Sequence, residues 1–229
     1  MNTGYMLKKL KLDEKAFKNI QDAVQKAEAK TNGEIELAIT AESEPYAFWE
    51  LFSSVLVSAV LFAVMLPFAG RLNILAMHFF WEVPVWYLPF LYGISCFCII
   101  LLFFYIANIP AVDRFIIPRN VKELSVTRRA FRYFTESGIY NTKDRSGILI
   151  FASYLEKQVR IVADYGISAK IPQELWNIIA DAMAENLSKG NTEAAFTEAV
   201  EKCGELLAEH FPAKEENPDE LPDGLAVVQ

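Results

Sequence analysis

The stretch GILIFASYLEKQVRIVAD, residues 147–164, reads as two β-strands joined by a tight link. Its first half, GILIFAS, is nearly all apolar, as a central strand covered on both faces must be. Its second half, QVRIVAD, alternates apolar and polar residues, and the short connection around Glu156-Lys157 makes the pair an antiparallel hairpin. Two strands are too few for a stable sheet, so a third is required. GEIELAIT, residues 33–40, supplies it: Ile35, Leu37 and Ile39 alternate with Glu34, Glu36 and Ala38, the pattern of a half-buried strand.

Helices surround these strands. Residues 13–31 place Phe17, Ile20, Val24 and Ala27 on one face, with Asp13 as N-cap and Asn32-Gly33 as the stop. Residues 120–137 form a second helix, with Leu124, Phe131 and Phe134 expected to face the core and Gly138 beyond its end. Pro172 opens a third, running to about Ser188. Asn191 or Thr192 caps a fourth, whose inner stripe is Phe196, Val200, Cys203 and Leu207. The fold class is therefore α/β, a small mixed sheet flanked by helices. The tail, residues 212–229, carries three Pro and five carboxylates and is expected to be extended or disordered.

Between the first strand and the second helix the composition changes. Residues 51–70 (LFSSVLVSAVLFAVMLPFAG) contain no charge, nor do residues 83–112, with ISCFCIILLFFYIANI at their centre. A bilayer core of about 30 Å needs roughly 20 helical residues, so each run is long enough to span. The expected spans are residues 48–69 and 86–109, within an insertion at 47–112. Trp49 and Trp86, with Tyr46 and Tyr87 beside them, suit the headgroup level at the two mouths. A hairpin buried in a soluble core would need more covering chain than remains. The insertion divides the soluble domain into residues 13–45 and 113–211.

Between Tyr46 and Val112 the only Lys or Arg is Arg71, whereas basic residues crowd both flanks. The positive-inside bias places both termini in the cytoplasm of a two-span cell (inner) membrane protein, with residues 67–84 outside and lying in the interface. Arg128, Arg129 and Arg132 form a basic patch on the second helix, suited to anionic lipid. Over the whole chain of 229 residues, 53% hydrophobic and 22% charged with net charge −7, the composition excludes a disordered, collagen-like or nucleic-acid-binding protein. The bilayer is one expected partner and a membrane protein the other.

Strand order predicts one chemical site. A helical crossover makes residues 33–40 and 147–153 parallel, and the hairpin returns residues 158–164 antiparallel. The starts of the first two strands and the end of the third then share one sheet edge, which gathers Glu34, Asp144 and Asp164 with Arg145 and Ser146. Three carboxylates and loop carbonyls are the hard oxygen ligands of Ca²⁺ or Mg²⁺. In a metal-assisted phosphatase Asp144 and Asp164 would hold the ion and Arg145 or Ser146 the phosphate. The same groups also fit solvated loop ends. His78 and His210 fall far apart, so no Ser-His-Asp set forms.

Gly33-Glu34-Ile35 opening a strand, FRYFTESGIYNTKDRSGILIF at 131–151, Asp164-Tyr165-Gly166 after the last strand, and CGELLAEHF at 203–211 occur in this order. Together they resemble the membrane-bound branch of the TPM-domain family, named partly for a thylakoid-lumen acid phosphatase. The resemblance implies a TPM-like fold. It also implies one of two roles: an assembly or maintenance factor for a membrane complex, or a phosphatase with calcium-like metal binding. Many members carry Asp-Asn-Gly in the loop before the second strand; here Asp144-Arg145-Ser146-Gly147 puts a cation at that point.

Overall fold

The computed structural model describes residues 3–78, 82–142, 145–213 and 221–228. The chain divides into two compact units, one formed by Met1–Glu44 with Arg119–Gln229 and the other by Pro45–Pro118.

The first unit begins with α1 (Thr3–Lys9) and α2 (Glu14–Glu28), whose N-cap Asp13 accepts the Ala16 N–H at 2.8 Å. Strand β1 is Glu34–Thr40. The inserted unit then contributes α3 (Ala47–Met65), α4 (Ala69–Met77), α5 (Tyr87–Ala107) and α6 (Pro110–Ile116). The first unit resumes with α7 (Arg119–Glu136), β2 (Gly147–Ser153), β3 (Gln158–Ala163), the single turn α8 (Tyr165–Ser168), α9 (Gln173–Ser188), α10 (Thr192–His210) and β4 (Leu225–Val228).

The sheet order is β3-β2-β1-β4. Strands β1 and β2 are parallel along seven pairs, from Glu34 opposite Gly147 to Thr40 opposite Ser153, and β3 runs antiparallel to β2. One face buries Ile35, Leu37, Ile39, Ile148, Ile150 and Ile161 under α2, α9 and α10, with Trp176, Phe196, Val200 and Leu207 wholly enclosed. The other face buries Ala38, Leu149, Phe151 and Val162 under Val126, Ala130 and Phe134 of α7.

Three expectations are corrected. β1 is buried on both faces, because α7 covers the side that carries Glu34 and Glu36. Leu124 and Phe131 do not face the core; they are 50% and 55% exposed, since α7 turns its Val126-Ala130-Phe134 stripe inward instead. The end of the tail is ordered, for Leu225–Val228 pairs in parallel with Leu37–Thr40 and buries Leu225. A four-residue apolar run can hold such an edge because β1 already presents a free row of backbone groups. Residues 214–220 of that tail lie outside the described residues.

In the inserted unit, two helical stretches are long and apolar enough to cross a membrane, Ala47–Met77 and Tyr87–Ala107. Only 11% of the apolar window in each is buried by the protein, so they are not core helices of this unit. The first runs on past residue 69 to Met77, into the segment expected to lie in the interface. Pro67 sits in a 3-10 turn, Leu66–Phe68, that joins α3 to α4 without ending the helical path. Ser58 Oγ donates to the Cys96 carbonyl at 3.3 Å and the Tyr92 hydroxyl to the Met65 carbonyl at 2.9 Å. Because one partner's number rises as the other's falls, α3 and α5 are antiparallel. Trp49, half-buried in the first turn of α3, and Trp86, exposed at the N-cap of α5, therefore stand at opposite ends of the pair.

Candidate functional site

The predicted sheet edge exists as a row. The Glu34 N–H donates to the Ser146 carbonyl at 3.1 Å and the Asp164 N–H to the Gly147 carbonyl at 3.0 Å, so Glu34 and Asp164 flank Gly147 on either side. Neighbouring strands lie about 4.8 Å apart, which sets the two backbones roughly 10 Å from each other. Asp144 lies outside the described residues. Among the described residues no three His, Cys, Asp or Glu are grouped closely enough to hold a metal ion.

Local sequence builds this row. Gly138 ends α7 in the left-handed conformation (φ +82°), and the chain turns through Ile139 so tightly that a Cβ on Gly147 would lie 2.6 Å from the Ile139 carbonyl oxygen. Only glycine fits there. Ser146 is buried: its N–H donates to Thr142 Oγ1 at 3.1 Å and its hydroxyl to the Asn32 carbonyl at 2.8 Å, so it ties two loops together. Arg145 is exposed and holds φ +52°, a left-handed backbone that suits Asn or Gly better than a long side chain. Asp164 accepts the Tyr165 N–H at 2.6 Å as the cap of α8, while its second carboxylate oxygen is buried with no hydrogen-bond partner among the described residues.

Two buried carboxyls beside this edge escape a sequence reading. Glu28, at the end of α2, accepts the Ile35 N–H at 2.7 Å. Burial pushes its pKa up to about 9; the Ile35 N–H opposes this, and the carboxylates of Glu34 and Asp223 add to it. Glu28 therefore carries a proton at neutral pH, and Asp223, which leads into β4, faces a donor rather than a second negative charge. Gln25 Nε2 holds the same Asp223 at 2.6 Å. Glu36, on the α7 side of β1, accepts from the Tyr133 hydroxyl at 2.9 Å while its other oxygen is buried without a partner among the described residues. Burial raises the Glu36 pKa, opposed by the Tyr133 bond, and burial first and Glu36 second raise that of Tyr133. The available signal was a tyrosine on the one helix that could cover the polar face of β1.

The remaining candidates are dispersed. Arg128 and Arg132 are exposed on the outer face of α7, and Arg129 is half-buried on its flank. His210 Nδ1 lies 3.1 Å from the Leu206 carbonyl, within its own helix.

These features define a class first: a mixed-sheet α/β domain interrupted after its first strand by an apolar helical pair. Residues 114–206 match the family model of the TPM domain. The fold is similar to the NMR structure of BA42 protein from the psychrophilic bacterium Bizionia argentinensis, with TM-score 0.56 and 20% identity over 95% of each chain. No curated protein matches the chain.

Proposed function

We propose that this is a two-span protein of the cell membrane, with both termini cytoplasmic, whose TPM domain binds and maintains a membrane protein complex. One observation carries the reading: β1 and β2 pair along seven residues although the whole Pro45–Pro118 unit separates them. A hairpin of two crossings returns the chain to the side it left, as that pairing demands; one crossing would not. The apolar surface of both long helices needs a solvent other than water. The basic residues flanking the insertion set its orientation. Extraction of the full chain in mild detergent should bring a membrane protein with it in fixed stoichiometry. Recovery of the chain alone, with no partner at any detergent strength, would overturn the binding role.

A second reading, a Ca²⁺- or Mg²⁺-dependent phosphatase, draws on the unpartnered buried oxygen of Asp164 in the same row as Glu34. It requires that the full chain hydrolyse a phosphomonoester only with added ion, and that Asp144→Ala abolish the activity.

A further inference from the structure

The outer face of α7 is the place where the fold departs most usefully from the pattern expected of it. Leu124 and Phe131 emerge there, with Arg128 between them and Arg132 alongside. Thr135 completes the stripe; the two carboxylates of α7 lie at its margins, Glu123 bonded to Arg119 at 2.9 Å and Glu136 exposed one turn beyond Arg132. Neither Arg128 nor Arg132 has an ion-pair partner among the described residues. Nothing in the domain requires two large apolar residues on this face, because Val126, Ala130 and Phe134 already fill the contact with the sheet.

We propose that this face docks the domain on the anionic lipid surface of its own membrane, Leu124 and Phe131 entering the interface while Arg128 and Arg132 engage phosphate headgroups. The inference rests on the membrane reading above. Three observations favour lipid as the occupant. The pattern is that of a surface-lying helix, a narrow apolar edge bracketed by arginines whose stems can lie along it. The two arginines at the centre of the face outweigh Glu136 at its margin and complement an anionic leaflet, where each basic residue shifts the docked-to-free ratio by about fivefold, or about 25-fold for the pair. And α7 begins at Arg119, directly after the last residue of the inserted unit, so lipid is held at high effective concentration and a face too small to bind from solution is sufficient.

The test uses the full chain in nanodiscs of phosphatidylcholine alone and of phosphatidylcholine mixed with phosphatidylglycerol, with hydroxyl-radical oxidation of individual side chains as readout. Leu124 and Phe131 should be oxidised several-fold less in the anionic discs, and high salt should reverse the protection. Ile178, exposed on α9 against the opposite face of the sheet, should be oxidised equally in both. The exposed-site double variant Arg128→Glu/Arg132→Glu should label alike in the two discs. Equal oxidation of the unaltered chain in both discs would overturn the proposal. So would protection already present in detergent that grows with protein concentration, the mark of a second copy, or protection that vanishes when a co-purifying protein is stripped away. Failure of the chain to enter discs at all would instead refute the membrane reading on which this one stands.

Discussion

Replacing Glu28 with Gln should make the protein more stable at neutral pH, and by an amount that grows with pH. Glu28 is 9% exposed and its pKa is raised from 4.5 to about 9 on folding. Between those two values the folded chain holds one proton more than the unfolded chain. Stability from this group is therefore complete below pH 4.5 and falls as pH rises toward 9, by about 1.4 kcal/mol per pH unit. By pH 7 the loss has reached about 3 kcal/mol. A glutamine keeps an oxygen to accept the Ile35 N–H, and its amide can donate to Asp223 as the protonated carboxyl does, but it does not titrate. Glu28→Gln should thus equal the parent below about pH 4 and exceed it by about 3 kcal/mol at pH 7. Hydrogen exchange of the β1 amides in the detergent-solubilised full chain, corrected for the intrinsic pH dependence of exchange, measures the difference. Stability curves that run parallel for the two proteins between pH 5 and 8 would refute the reasoning, because Glu28 would then ionise in the folded state as readily as in water.

Two further substitutions probe the loop before β2. Gly147→Ala places a methyl group against the Ile139 backbone and should lower stability by about 1–3 kcal/mol, read as a fall in the thermal midpoint of the full chain in detergent. Arg145→Gly removes a side chain from a left-handed backbone (φ +52°) and should raise stability by about 1 kcal/mol, provided the loop keeps its conformation, which the same thermal assay with an NMR check of the Ser146 amide would establish.

Much of the sheet was legible because its information is local. GILIFAS and QVRIVAD declare themselves by composition and alternation within a few residues, and their short link sets their pairing. β4 was not legible: LAVV is four residues long, follows an acidic Pro-rich run, and gains its meaning from β1, far back in the chain. Helix α7 shows a different limit. It carries two apolar stripes, Val126-Ala130-Phe134 and Leu124-Phe131, both at helical spacing; periodicity reports that a face exists without saying which one meets the sheet. The edge holding Glu34 and Asp164 followed from strand order alone, whereas the protonated Glu28 and the Glu36–Tyr133 bond depend on burial that only packing determines.

The interruption of the sheet also dictates an order of events during synthesis. β1 leaves the ribosome long before Gly147, its first partner, has been made, and both apolar helices must be dealt with in the interval. Until then the strand that becomes the doubly buried centre of the domain has exposed hydrogen-bonding edges on both sides, the condition under which chains misassociate. β4 is made later still and closes the other edge of β1, so that strand stays half-paired even after β2 has docked.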